Sequence, residues 1–333
     1  MSNIRVLFIT NYFTSGNPNN TPSNEVQNHF RSIMKCSQIN SGFFCYDAGI
    51  LGEYGEDVLT IKHTSVNDKV LLERCLDESV RPDVIFYMES LRGTPGPDYV
   101  TLACIRRTLN IPVVMFWADA EGDDITRMEQ MYPFVDKHIL LDGFDPTRFT
   151  RMPERYIRTF PPQDPDVVYN DNRERDILVS FPGQVPGQGR RNEYIEALEK
   201  AGVPLCVMGG RSWDKGDDDI PVEEFFNLHR RSMIVLNFVG RENTHTARTM
   251  EATLCGALVM EPANSYHLPF ADFVDIVPFS NEGELIERVK YFLVNKAEAC
   301  RIALSGHRKA VSINEKYLET ILASIGVNVN VIS

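Results

Sequence analysis

No Cys-x-x-Cys pair occurs among the seven cysteines, which are scattered at positions 36, 45, 75, 104, 206, 255 and 300. That scatter offers zinc no ligand cluster, and Cys206 and Cys255 stand in apolar stretches, as reduced core thiols do. No apolar run approaches the roughly 20 residues that a membrane helix needs. The opening Met1-Ser-Asn-Ile-Arg leads directly into a short strand rather than a long apolar region. No signal peptide is therefore expected, and the expected location is cytoplasmic. Positive charge is in deficit: the net charge of −12 argues against a broad nucleic-acid footprint, leaving only a local basic groove open. No Gly-x-Gly-x-x-Gly follows the first strand, which discounts a nicotinamide-dependent enzyme. Internal repeats and low-complexity tracts are absent as well.

What the chain does have is length and alternation. Its 333 residues suffice for two domains with separate cores, and 43% hydrophobic with 24% charged residues is ordinary for a globular protein. Strands are predicted at Arg5–Thr10, Ser41–Tyr46, Arg81–Met88, Ile111–Trp117 and Lys137–Asp142, with helical spacing at Val70–Glu78 and Tyr99–Leu109. Ser23 caps a helix expected from about Glu25, and Asn110 stops the helix before it. The acidic run Asp119-Ala-Glu-Gly-Asp-Asp124 follows a strand end and is the first half's candidate for general-base or acceptor contacts. A solvated acidic loop is the plain alternative. Phe160-Pro-Pro-Gln-Asp-Pro165 through Asn172 is proline-rich and polar, as linkers are.

The second half restarts with a strand at Asp176–Phe181, a glycine-rich loop from Pro182 to Arg191 and a helix from about Asn192. A strand at Pro204–Met208 runs into the tight turn Gly209-Gly210, with Trp213 near a base pocket. Val222–Arg231 is helical, and Arg230-Arg231 reads as surface decoration. The organising stretch is Thr244 to Pro262, a short helix, a glycine stop and a buried strand at Ala257–Met260. Asn243, Thr244 and Thr246 can each cap that helix, and Gly256 can take the left-handed conformation that ends it. His245, Arg248 and Glu251 recur every third residue and share a face, beside an apolar stripe of Ala247, Met250 and Leu254. Such a face is usually just solvated. Here it is delivered to the carboxyl edge of a sheet, where open α/β folds bind ligands. Free amides at Thr244 and His245 suit a phosphate, Arg248 supplies a forked cation, and Glu251 can accept from sugar hydroxyls. Helices around Glu282–Asn295 and Asn314–Ile325 close the chain.

Arg248-Thr-Met-Glu-Ala-Thr-Leu-Cys-Gly-Ala-Leu-Val-Met-Glu-Pro262 resembles the Arg-x-x-Glu-x-x-x-x-Gly-Ala-Leu segment of glycosyltransferases with two Rossmann-like domains, the GT-B fold. The nearest subgroup is the CgeB-like one, among the group 1 glycosyl transferases. Ser232-Met-Ile-Val-Leu-Asn-Phe238 is similar to that group's Ser-Lys-Ile-x-Leu-Asn strand. Phe273–Phe279 and Glu282-Gly-Glu-Leu285 are similar to its closing strand and helix. The likeness spans about 174–312. It implies an α/β fold with two Rossmann-like domains about a central cleft: an acceptor domain at 1–162, a linker at 163–173, a donor domain at 174–312 and a final helix at 313–333 crossing back. Arg190 and Arg191 match in type the basic residue that related transferases set against the donor diphosphate. A Trp-x-x-Asp-type segment favours Asp119. Of two glutamates that retaining relatives carry eight positions apart, the second matches Glu251 and the first falls on Asn243.

The expectation is a glycosyltransferase that takes a sugar from a nucleotide diphosphate sugar as co-substrate, retains its stereochemistry and needs no metal or other cofactor. Asp119 and His245 are the catalytic candidates. Arg190, Arg191, Gly209, Gly210, Thr244, His245, Arg248 and Glu251 are the donor-binding ones. The acceptor is open among a glycan, a small molecule, a protein and a modified base. Two rivals share these features: a nucleotide-sugar epimerase or hydrolase on the same fold, and a non-enzymatic two-domain sugar- or nucleotide-binding protein.

Overall fold

The computed structural model describes residues 4–11, 29–36, 39–46, 50–52, 62–63, 68–89, 96–118, 120, 124–141, 150–183, 190–208, 222–238, 246–263 and 269–327. The chain divides into two compact units, one built from 1–164 with 316–333, the other from 165–315.

The first unit opens on β1 (Ile4–Thr10), whose inner residues are wholly buried as its apolar run requires. Then come α1 (Phe30–Met34), β2 (Ile39–Cys45), β3 (Ile50–Gly52), β4 (Lys62–His63), α2 (Asp68–Leu76), β5 (Val84–Glu89) and α3 (Tyr99–Ala103). After α3 the hydrogen bonding loosens into a π-helical turn at Cys104–Thr108, and Asn110 ends it with φ 56°. Next are β6 (Val113–Trp117), α4 (Asp124–Gln130), β7 (Lys137–Leu140) and β8 (Tyr156–Arg158). The eight-stranded sheet has the order β4-β3-β2-β1-β5-β6-β7-β8. Its strands are parallel from β2 to β8, and β3 and β4 join antiparallel at the edge. Two apolar layers sandwich this sheet, one around Phe8, Phe43, Phe86 and Phe116 and the other around Leu7, Ile85, Met115 and Leu140.

The second unit carries β9 (Ile177–Pro182), α5 (Arg191–Lys200), β10 (Leu205–Met208), α6 (Val222–Arg231), β11 (Ser232–Leu236), α7 (Ala247–Leu254), β12 (Leu258–Pro262) and β13 (Val277–Phe279). Two helices follow, α8 (Glu282–Val294) and α9 (Lys296–Glu315). Its five strands are all parallel, ordered β10-β9-β11-β12-β13. The chain lays β10 on one side of β9 and β11 on the other, so the connections reverse direction between β9 and β11. In doubly wound sheets the crevice at that reversal, beyond the strands' carboxyl ends, is where ligands bind. The last helix, α10 (Tyr317–Ser324), belongs to the first unit and adds Tyr317, Leu318, Ile321 and Leu322 to the Phe8 layer. Among the described residues no helix is long and apolar enough to cross a membrane.

Two expectations change, and a third is not reached. Residues 296–313, left unassigned between the closing helices, form most of the 20-residue α9. The helix start expected at Ser23 and Glu25 lies outside the described residues, among which the helix is Phe30–Met34. Arg230 is not surface decoration: it is 1% exposed. Its guanidinium lies 4.6 Å from the Tyr169 ring, donates to Val167 O and pairs with Glu223, because residues 167–171 cover the last turn of α6. Arg231, paired with Asp176, is the exposed one of the two.

Candidate functional site

Gly256 ends α7 with φ +75°, so the chain turns directly into β12 as its Gly-Ala-Leu sequence suggests. Thr246 holds the N-cap position with extended backbone, yet its hydroxyl does not cap the helix. It donates instead to Asn237 Oδ1 at 2.9 Å, just past the end of β11. Among the described residues, the amides at the start of α7 thus have no cap from the Thr246 side chain.

Most of α7 is enclosed. Thr249, Met250, Glu251, Ala252, Thr253 and Leu254 are all buried. Of the polar face, Glu251 is thus buried, Arg248 is half-buried and His245 lies outside the described residues. Glu251 is 7% exposed. Burial pushes its carboxyl up to about 7, and the neighbouring Arg248 pulls the other way. Arg248 is itself drawn down to about 10 by burial, with Arg191 adding repulsion and Glu251 opposing it. Its Nη1 donates to Asn237 Oδ1 at 3.0 Å, and its Nε is sealed from solvent with no hydrogen-bond partner among the described residues. A buried donor left unsatisfied costs on the order of 1–3 kcal/mol.

Arg191, at the start of α5, converges on the same ring. Its guanidinium carbon lies 5.9 Å from the centroid of Phe181, and that of Arg248 lies 5.3 Å from it. Arg191 Nε donates to Phe238 O at 2.9 Å, fixing the side chain against the end of β11. Phe181 stacks on Phe238 with centroids 4.9 Å apart, so a rigid aromatic floor carries both cations. Gly183, which follows β9, makes the close approach possible: a Cβ there would stand 2.7 Å from Arg248 Nη2. All of these residues lie at the carboxyl ends of β9 and β11, where the sheet's connections reverse.

Arg190 is oriented differently. It sits over Tyr194 at 5.0 Å and pairs with Glu193 and Glu282 at an exposed position. Asp119, Gly209, Gly210, Trp213, Asn243, Thr244 and His245 lie outside the described residues. Of the acidic run, Asp124 is described, buried in the first turn of α4. Two residues to which the sequence reading gave no role complete the site. Asn237 is wholly buried and Glu261 is 3% exposed. Glu261 Oε2 accepts from Thr249 Oγ1 at 2.6 Å and from Asn237 Nδ2 at 2.9 Å. Both sit at the strand-end positions of the quoted motifs, which is the only trace of them in the sequence. Among the described residues no three His, Cys, Asp or Glu stand together as a metal site would need.

The fold is that of known glycosyltransferases. A glycosyltransferase from Rickettsia africae superposes with a TM-score of 0.61 at 10% identity, over 98% of this chain and 99% of that one. HepE from Anabaena, solved with UDP and glucose, gives 0.59 at 14% identity, over 96% and 99%. BGT from phage T4, solved with its UDP-glucose substrate, gives 0.52 at 12% identity, over 97% and 99%. At such identities the likeness is one of fold, and that fold is GT-B. Within it, residues 190–317 match the family model described as glycosyl transferase-like. No curated protein matches the chain. The matched segment contains Arg191, Asn237, Arg248, Glu251 and Glu261.

Proposed function

We propose that this protein is a glycosyltransferase, that it transfers a sugar from a nucleoside diphosphate sugar, and that the donor's phosphates lie against Arg248 and Arg191. The observation that carries this reading is the pair of guanidiniums, those of Arg191 and Arg248, held on the Phe181 floor. Two guanidiniums held side by side on one aromatic floor suit an anion. The start of α7, which the Thr246 side chain does not cap, points the same way. Structural neighbours solved with UDP or UDP-glucose support a nucleotide-sugar donor, and the Arg248–Pro262 motif supports the CgeB-like group.

In the reaction the bond between the anomeric carbon and the β-phosphate oxygen breaks, and a bond to an acceptor oxygen forms. Negative charge builds on the departing diphosphate. Arginines fixed before the reaction stabilise that charge without reorganisation, so no metal or other cofactor is required. Arg191 suits this task better than Arg190, because it shares the Phe181 floor with Arg248 whereas Arg190 turns to Glu193 and Glu282. Glu251 accepts from ribose hydroxyls. The acceptor's proton passes to a base, for which Asp119 and His245 are the candidates. Retention at the anomeric carbon follows from the resemblance to retaining enzymes.

The test is a panel of UDP, GDP, ADP and dTDP with their glucose or mannose conjugates, read by thermal shift and calorimetry. At least one diphosphate binds the wild type. Arg248→Ala weakens it about tenfold or more, the scale of a lost charge-assisted contact, and weakens the bare nucleoside little. Transfer persists in chelator. Equal binding by wild type and Arg248→Ala overturns the site, and activity restored only by manganese or magnesium overturns the metal-free route. An epimerised or hydrolysed donor formed rapidly without acceptor assigns the other chemistry.

A further inference from the structure

The strands β11 and β12 end side by side, with Asn237 N donating to Met260 O at 2.8 Å. The next residue, Glu261, is thereby carried to the base of α7. From its carboxylate a chain of hydrogen bonds leads to Arg248. Asn237 Oδ1 accepts from Arg248 Nη1 and from Thr246 Oγ1. A guanidinium can only donate, so the amide oxygen must face Arg248 and the amide nitrogen must face Glu261. Thr249 Oγ1 accepts from Asn237 Nδ2 at 2.9 Å and donates its own hydrogen bond to Glu261 Oε2. Every link has one polarity.

We propose that Glu261 is a positioning residue for the donor site: acting through Asn237 and Thr249, it fixes the Arg248 guanidinium so that its remaining Nη–H groups face the donor diphosphate. This rests on the donor reading above. A charged acceptor strengthens the amide's hydrogen bonds, and each bond polarises the next. The amide spacer matters as much as the carboxylate. A carboxylate bonded directly to Arg248 would quench the charge that the phosphates need, whereas an amide oxygen orients the fork and leaves its charge available.

Glu261→Gln keeps the shape and an acceptor while removing the charge. Nitrogen and carbon NMR of the Arg248 guanidinium in ligand-free protein reads the hold directly, through rotation about Nε–Cζ. That rotation is slow in the wild type and at least tenfold faster in Glu261→Gln. UDP affinity falls about five- to tenfold in Glu261→Gln, uridine affinity changes less than twofold, and in an Arg248→Ala background Glu261→Gln adds nothing. Unchanged guanidinium rotation overturns the proposal. So does an equal loss for uridine, or a loss additive with Arg248→Ala, since either means that Glu261 acts on the fold rather than through Arg248. Should Glu261→Gln not fold, Thr249→Val removes one donor to the carboxylate and is expected to act in the same direction. A wild type that binds no nucleoside diphosphate sinks the donor reading, and the rotation measurement still decides whether Glu261 holds Arg248.

Discussion

Glu251 ties the site's chemistry to stability. Its folded carboxyl titrates at about 7 against an ordinary value of 4.5, because burial disfavours the charged form. The native state therefore holds a proton that the unfolded chain has released between those two values. Its stabilising contribution is complete below pH 4.5 and is lost as pH rises through 7. Glu251→Gln has no such proton. Its stability relative to wild type is expected to climb across pH 5 to 8, by on the order of 3 kcal/mol at most. Urea titrations at each pH measure this. His29, His138 and His229, each lowered to about 3 by burial, slope the other way in both proteins and cancel in the difference. A pH-independent difference would mean that Glu251 stays ionised in the fold. At this scale the sequence disclosed the residues whose partners share one helix. Arg248 and Glu251 were legible by their three-residue spacing, while Asn237 and Glu261 meet only because two strands end together. Arg230 misled because last-turn arginines are usually exposed, and nothing local tells that residues 167–171 fold over it.

Among elements, the α7–β12 turn concentrates the constraint. Gly256 has φ +75°, and a Cβ there would stand 2.5 Å from Asn170 Nδ2 and 2.8 Å from Arg175 Nη2. That arginine closes two helix ends together, donating to the carbonyls of His229, Arg230 and Ser232 from Nη1 and of Cys255 from Nη2. Gly202, which ends α5 with φ +71°, has nothing within 4 Å of its would-be Cβ. Alanine is expected to cost about 1 kcal/mol at Gly202, from backbone strain alone. At Gly256 the clash with Asn170 and Arg175 adds to it, for roughly 2–3 kcal/mol in all. Denaturant midpoints of the two variants compare them directly, and equal losses would show that the Arg175 cap yields freely. Gly256 was legible because a glycine between a helical pattern and an apolar run has few other uses. The helix α9 was not, since its buried face is Ala299, Ile302, Ala303, Gly306 and Ala310, small residues that give a faint apolar period. They serve close approach: a Cβ on Gly306 would lie 2.4 Å from Asp275 O.

At the scale of the whole chain, the consequential feature is where the last helix goes. The second unit ends at Glu315, and α10 returns to the first unit, whose core would otherwise lack Tyr317, Leu318, Ile321 and Leu322. Leu322 is wholly buried in the layer that contains Phe8, Phe30 and Phe43. Truncating a leucine in such a place removes both its transfer energy and the packing around it, about 2–5 kcal/mol. The two units hold separate cores, so the loss should stay local. In Leu322→Ala, hydrogen exchange is expected to accelerate across β1, β2 and β5, while β9, β11, β12 and α7 keep wild-type protection. UDP affinity, which draws on the second unit's Arg191 and Arg248, should change by less than a factor of two at temperatures where both units remain folded. Exchange that rises equally in both units would mean that they unfold as one body, and α10 would then be a latch for the entire chain rather than a piece of the first core.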